Sequence, residues 1–159
     1  MKKIILIILI LALGFYVFFM RDDKVEVNTG GDTAGETFRP DPSQAVFPGI
    51  EGEITLLEER AYGDINNDEK IDTVVFLAES GGGSGVFIYA AAYVSGPVNY
   101  KGTNAIFLGD RIAPQSISIA NGAVTVRYLD RNEDEPLAAE PTISAAKVFT
   151  YQGGELVEK

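Results

Sequence analysis

The sequence predicts an all-β fold, an antiparallel sandwich or partly closed barrel of about seven short strands, preceded by an N-terminal transmembrane helix. Apolar and polar residues alternate with period two in residues 51–62, 115–120 and 123–128, which is typical of strands with one buried face. Residues 73–78 and 86–94 are apolar on both faces, which predicts two central strands. No later stretch keeps an apolar period of 3.6, so the domain is predicted to contain strands rather than helices.

Residues 1–24 are predicted to form a membrane anchor. After Lys2 and Lys3, residues 4–20 carry no charge, and at ~1.5 Å per residue they reach ~25 Å, enough to cross a thin bilayer core. The run ends in bulky residues, whereas a cleaved signal peptide ends in a small-x-small site, so an uncleaved anchor is favoured over a signal peptide. The positive-inside rule places the N-terminus in the cytoplasm and the domain outside it.

Residues 25–50 are predicted to be a flexible linker between the anchor and a β domain at 51–159. The linker is rich in Gly and Pro and poor in large apolar residues, a composition that favours extended, mobile chain. Val46 and Phe47 are the exceptions, and they could dock on the domain.

Composition excludes several classes of function. The chain has a net charge of −10, and from Val25 onward 9 basic residues stand against 21 acidic ones, a net charge of −12. Such a surface repels phosphate backbones, so we expect no nucleic-acid partner. The chain contains no Cys and no His, which excludes disulfides, thiolate or imidazole metal sites and His-based catalytic triads.

The clearest local prediction is a β-hairpin at Asn121-Gly122, a dipeptide that supplies the positive φ values of a type I′ turn. A two-residue turn predicts three facing pairs, which are Ile119 with Val124, Ile117 with Val126, and Gln115 with Tyr128. Further strands are predicted around residues 104–108, 145–151 and 155–157.

Two loops invite a functional interpretation, and a simpler one is favoured for each. Residues 79–85 are Gly-rich and could cradle a phosphate, but a strand follows them rather than a helix, which favours a hairpin connection. Residues 129–136 are acidic and could hold a second metal site or an acid pair, although a solvated loop ending at Pro136 is favoured.

The stretch with the strongest chemical pattern is the acidic loop at residues 63–72. Its oxygen-bearing residues follow the alternate spacing of a calcium loop, and the carbonyl of Lys70 takes the seventh position. Short side chains on alternate residues of a tight loop converge on a point, where their carboxylates would repel one another without a cation. The predicted calcium ligands are Asp64, Asn66, Asp68, Lys70 and Asp72.

This loop resembles the Asp-rich calcium loops of FG-GAP repeats and dockerins, and the strand that follows it is closer to the FG-GAP pattern. Glu69 stands where such loops usually have Gly, and a positive φ there would cost roughly 1 kcal/mol. Val75 stands where an EF-hand has a bidentate Glu, so we expect weak affinity, on the order of 10⁻⁴ to 10⁻³ M. The alternative is an Asp/Asn-rich turn that needs no ion.

A wider resemblance covers most of residues 63–112, which look like small uncharacterised bacterial envelope proteins. It implies an extracytoplasmic location and no known activity. A cell-envelope protein or a glycan is then the expected kind of partner, in addition to the membrane that holds the anchor.

Two functions fit these features. The first, which is favoured, is a membrane-anchored extracytoplasmic binding or structural module that is stabilised by calcium and has no catalytic role. The alternative is a glycan hydrolase that uses two carboxylates about 5–9.5 Å apart in a cleft. Asp110 next to Arg111 could instead form a salt-bridged corner. The carboxylates available to a hydrolase are Glu79, Asp110, Asp130 and Glu133.

Overall fold

The computed structural model describes residues 38–159. The predicted anchor at 1–24, with its transmembrane helix, and the first part of the predicted linker lie outside these residues. Within residues 38–159, no helix has the length and apolar composition that crossing a bilayer requires.

The strands form two antiparallel sheets. The first element of the described residues is a short 3₁₀ helix at Pro42–Gln44. The first sheet contains β1 (Glu53–Gly63), β2 (Asp72–Ser80), β3 (Phe87–Val94), β4 (Lys101–Gly102) and β5 (Ile106–Asp110). The second contains β6 (Ala113–Ala120), β7 (Ala123–Asp130), β8 (Ile143–Gln152) and β9 (Glu155–Glu158).

The order of strands confirms the predicted all-β class. The first sheet runs β1-β2-β3-β4, with β5 also paired to β3, and the second runs β6-β7-β8-β9. Every predicted strand segment corresponds to one of these strands, and the two-residue β4 is additional. Across residues 38–159 no ladder joins the two sheets, so they do not close into a barrel.

The main core lies between the two sheets. Val74 and Phe76 of β2 pack in one cluster with Val126 of β7 and Phe149 of β8, and all four are fully buried. Alternate residues of a strand point to the same face, so each strand contributes every second side chain to this layer. Burial of each such side chain contributes about 1.5–3 kcal/mol, which is what holds the sheets together.

The hairpin at Asn121-Gly122 forms as predicted over its first two pairs. Asn121 and Gly122 have φ values of 51° and 70°, and Ile119 faces Val124 while Ile117 faces Val126. The third predicted pair is wrong. The register shifts between Pro114 and Ser116, so that Pro114 faces Tyr128 and Gln115 does not. Pro cannot donate a ladder hydrogen bond and is accommodated at bulges, which accounts for the extra residue.

Residues 38–50, the second part of the predicted linker, pack on the outer face of the first sheet. Phe47 is 4% exposed and forms a second apolar cluster with Val75, Leu77 and Ala91. The Thr73 hydroxyl donates a hydrogen bond of 2.6 Å to the Pro40 carbonyl.

The same segment also contacts the loop before β5. The Ala105 N–H donates to the Pro48 carbonyl at 3.1 Å. A side chain at Gly102 would collide with the Val46 carbonyl, so only Gly lets the segment approach so closely. Because β2 and β3 are apolar on both faces, their outer face needs this cover.

We expect Phe47→Ala to lower the free energy of unfolding by about 3–5 kcal/mol, because it empties a buried aromatic site. The matched control is Val46→Ala, whose side chain is 81% exposed and should change stability by less than about 0.5 kcal/mol. Urea unfolding followed by circular dichroism measures both. Equal, small effects of the two substitutions would show that residues 38–50 do not stabilise the fold.

Candidate functional site

The acidic loop connects β1 to β2, and Asp72 forms its buried end. Asp72 is the first residue of β2 and is fully buried. Its Oδ2 accepts a hydrogen bond from the Ile65 N–H at 2.9 Å, and its Oδ1 accepts one from the Ser95 N–H at 2.8 Å. One carboxylate therefore joins the β1–β2 loop to the loop between β3 and β4.

Asp64 closes the loop on itself. Its Oδ1 accepts from the Asn67 N–H at 2.7 Å and from the Asp68 N–H at 3.2 Å, and its Oδ2 accepts from the Glu69 N–H at 2.9 Å. A carboxylate that accepts several backbone N–H groups fixes a tight turn without help from another part of the chain.

Two residues of the loop take up left-handed backbone conformations. Asn67 has a φ of 61° and Glu69 a φ of 67°. Asn tolerates this region well, whereas Glu69 adopts it at a cost of roughly 1 kcal/mol. Glu69 thus adopts the strained conformation that its position in a calcium-type loop implied.

Ser95 forms hydrogen bonds with several residues of the acidic loop. Its hydroxyl donates to Asp68 Oδ2 at 2.6 Å, and its carbonyl accepts from Asn66 Nδ2 at 3.0 Å. Lys70 Nζ lies 3.6 Å from Asp68 Oδ2 and donates to the Gly96 carbonyl at 3.3 Å. Sequence reasoning missed Ser95, because it lies about thirty residues from the loop and only the pairing of β2 with β3 brings it there.

The pKa values of Asp68 and Asp72 shift in opposite directions, because hydrogen bonds dominate at Asp68 and burial dominates at Asp72. The Ser95 hydroxyl lowers the pKa of Asp68, with further help from the Lys70 N–H. Burial raises the pKa of Asp72, although the N–H bonds from Ser95 and Ile65 oppose this by favouring its charged form. Asp68 is therefore the more strongly acidic of the two groups.

The five predicted calcium ligands lie in one loop, where the side-chain oxygens of Asp64, Asn66 and Asp68 accept hydrogen bonds from the loop's own N–H groups. The carboxylates of Asp64, Asp68 and Asp72 each accept hydrogen bonds from N–H or O–H donors, and Lys70 places its ammonium beside Asp68. In residues 38–159, no three acidic side chains lie together in a way that would hold a metal ion. Hard oxygen donors of this kind are the ligands that calcium prefers.

The four carboxylates considered for a hydrolase are occupied with local structure or exposed. Glu79 accepts from the Tyr89 hydroxyl at 2.7 Å and from a backbone N–H. Asp110 pairs with Arg111 at 3.5 Å, which confirms the predicted salt-bridged corner. Asp130 accepts from its neighbour's N–H at 2.8 Å, and Glu133 is exposed.

Two concave regions of the described residues lie away from these carboxylates. One, of about 730 Å³, lies between the β3–β4 loop and the β8–β9 turn, and it is lined in part by Asn99, Lys101 and Tyr151. The other, of about 350 Å³, lies beside Tyr93 and Tyr100. Neither is lined by an Asp or a Glu. The arrangement that a two-carboxylate hydrolase needs is therefore not found in either pocket.

The Gly-rich segment after β2 is a hairpin connection, as favoured above. The antiparallel pairing of β2 with β3 places residues 81–86 at the tip of a hairpin. Gly81, Gly82 and Gly83 border open space, and the Arg111 guanidinium lies 3.4 Å from the Ser84 hydroxyl.

A feature that sequence reasoning missed is a cluster of aromatic rings on the outer face of the first sheet. Phe107 of β5 lies next to Tyr89 and Phe87 of β3, with ring centroids 5.5 Å and 6.2 Å apart. Phe107 is 50% exposed and Phe87 is 36% exposed. We call these three residues the aromatic face.

Acidic side chains flank the aromatic face. In the strand register Phe87 stands between Glu79 of β2 and Asp110 of β5, and Tyr89 stands opposite Phe107. The period-two pattern of residues 86–94 predicts that positions 87 and 89 share a face. Nothing in the sequence shows that β5 pairs with β3, and this pairing is what brings Phe107 to them.

Comparison of the chain with protein-family models, curated protein sequences and solved structures finds no match.

We expect Asp72→Ala to lower the free energy of unfolding by about 2–4 kcal/mol, because the buried N–H groups of Ile65 and Ser95 lose their acceptor. Glu69→Ala is the matched control, since it removes the same charge from an exposed side chain of the same loop at an unchanged positive φ. Urea unfolding of the two variants compares them. If the control costs as much as Asp72→Ala, charge rather than the buried hydrogen bonds stabilises the loop.

Proposed function

We propose that this protein is a membrane-anchored extracytoplasmic binding module whose β domain presents the aromatic face to a partner. The observation that carries this proposal is the exposure of Phe87 and Phe107 side by side on a regular sheet. Large aromatic side chains dominate the energetics of protein interfaces, and contiguous exposed apolar patches mark interaction sites. A partner on this surface would remove both rings from water.

The proposed location rests on the sequence. The uncharged run at 4–20 with Lys2 and Lys3 before it supports a single-pass anchor with its N-terminus in the cytoplasm. The linker then presents the domain outside the membrane, and the net charge of −10 favours partners other than nucleic acid. A cell-envelope protein or glycan is the class of partner that this location offers.

We also propose that calcium binds weakly in the acidic loop and stabilises the domain. Support comes from the spacing of its oxygen donors and from the concentration of negative charge around Asp68 and Asp72. Binding would displace the Lys70 ammonium from Asp68 and reorient carboxylates that now accept N–H groups. The reorientation is a further reason to expect low affinity, because the ion competes with existing hydrogen bonds.

Calcium at about 10 mM should raise the free energy of unfolding by about 1.4 kcal/mol if the dissociation constant is about 1 mM. Thermal unfolding with and without a chelator measures this as a shift in Tm, and magnesium at the same concentration controls for ionic strength. The shift should disappear in Asp64→Asn. An unchanged Tm, with no heat of binding by calorimetry, would leave the loop as a turn that needs no ion.

A photo-crosslinking residue in place of Phe107 should capture a discrete partner in membranes of cells that make the protein, because the proposed interface covers this position. The control is the same residue in place of Val98, which is 94% exposed on the β3–β4 loop. Crosslinked products are compared by electrophoresis and mass spectrometry. Identical products at both positions, or none at position 107, would contradict a binding role for the aromatic face.

A further inference from the structure

We infer that the aromatic face binds a cationic side chain, the ammonium of Lys or the guanidinium of Arg, in a basic segment of a partner polypeptide. This inference rests on the proposed function as a binding module and names the chemistry of its partner. It is carried by the angles between the rings, by the flanking carboxylates and by the charge of the whole chain.

The planes of the three rings are steeply inclined to one another and do not form a flat surface. Phe107 meets Tyr89 at an interplanar angle of 64° and Phe87 at 60°. A flat sugar ring stacks best on coplanar aromatic surfaces, whereas rings at steep angles can surround a compact cation with their negative faces. Attraction between a cation and a ring operates within about 6 Å of the ring centroid. At 5.5 and 6.2 Å the three rings are in direct contact with one another. A side-chain cation would therefore lie on the solvent side of Phe107, which is 50% exposed, and not between the rings.

The same chain already contains such a contact. The Arg39 guanidinium carbon lies 5.0 Å from the centroid of the Tyr62 ring. The contact joins the segment before β1 to the β1 strand itself, so a cation–π contact helps to dock a chain segment on this domain. The aromatic face offers the same chemistry to a segment from outside.

Glu79 adds a fixed negative charge beside the rings. Its Oε2 accepts from the Tyr89 hydroxyl and its Oε1 from the Gly52 N–H, so the carboxylate is held in one place. These bonds lower the pKa of Glu79, and burial together with the bond to Glu79 raises the pKa of Tyr89 to about 12. Donation from the phenol to a carboxylate also makes the Tyr89 ring more negative, which strengthens its attraction for a cation.

On the other side of the aromatic face, the charged residues Asp110 and Arg111 pair with each other. Asp110 stands next to Phe87 in the strand register and pairs with Arg111 at 3.5 Å. Arg111 reaches from there towards Ser84, in the β2–β3 hairpin. Among the described residues no salt bridge involves Glu79, so its charge is not neutralised by a basic side chain. The net charge of −10 attracts basic segments from a distance.

The test uses the full-length protein in nanodiscs of zwitterionic lipid and a fluorescein-labelled hexalysine peptide, with binding followed by fluorescence anisotropy. Phe107→Leu and Phe87→Leu remove a ring and keep the apolar bulk and the net charge. We expect each to weaken binding about two- to fivefold, the contribution of one exposed cation–π contact. Phe107→Tyr, which keeps an aromatic ring, should bind hexalysine as tightly as the unaltered protein.

Two controls separate this site from general electrostatics. Phe38→Leu removes an exposed ring elsewhere, and Glu155→Gln removes an exposed charge from the second sheet. We expect Phe38→Leu to bind as the unaltered protein does and Glu79→Gln to weaken binding more than Glu155→Gln. Thermal unfolding by circular dichroism shows that each variant compared is folded, and the two Phe→Leu variants test the same prediction independently.

The inference is overturned if hexalysine does not bind, or if both Phe→Leu variants bind it as tightly as the unaltered protein. Binding of a neutral chitohexaose probe that is lost in Phe107→Leu, in place of hexalysine binding, would also overturn it and indicate a glycan partner. The crosslinking experiment at position 107 is independent of these outcomes. A captured partner with no hexalysine binding would keep the binding module and reject its cationic ligand.

Discussion

The fold depends on a central pair of strands that is apolar on both faces. β2 and β3 bury Phe76 and Ala90 against the second sheet, and they bury Leu77 and Ala91 under the segment that carries Phe47. A strand of this kind is stable only if both faces are covered, since each exposed apolar side chain would forfeit about 1.5–3 kcal/mol. The second sheet covers one face of β2 and β3, and residues 38–50 cover the other.

The acidic loop holds the start of β2 in place. Asp72 is buried where the strand begins, and it holds Ile65 on one side and Ser95 on the other. Burying a carboxylate is costly unless its oxygens are satisfied, and here backbone donors from two loops satisfy them. The loop thus ties together the connections at one end of the first sheet. A calcium ion would act on an arrangement that hydrogen bonds already hold.

The aromatic face arises where the cover of the first sheet ends. Phe47 lies over Val75, Leu77 and Ala91, whereas Phe87 and Phe107 on the same side of the sheet stay exposed. The surface that we propose for binding is therefore continuous with the second core. A partner segment docked there would extend the cover that residues 38–50 begin, and Glu79 sets the charge that such a segment should carry.

The sequence by itself determined the all-β class, the strand segments and the turn at Asn121-Gly122, because these depend on local periodicity and on backbone preferences. Tertiary structure decided the bulge at Gln115, the docking of Phe47, the position of Ser95 and the exposure of Phe107. Each of these depends on contacts between segments that are distant in the chain. A period-two pattern shows which residues share one face of a strand, but it does not show which segment covers that face. The residues predicted as calcium ligands lie in one short loop, and Asp64 is held by N–H groups of that loop. Asp68 and Asp72 also accept hydrogen bonds from Ser95 of the β3–β4 loop, which only the tertiary structure places beside them.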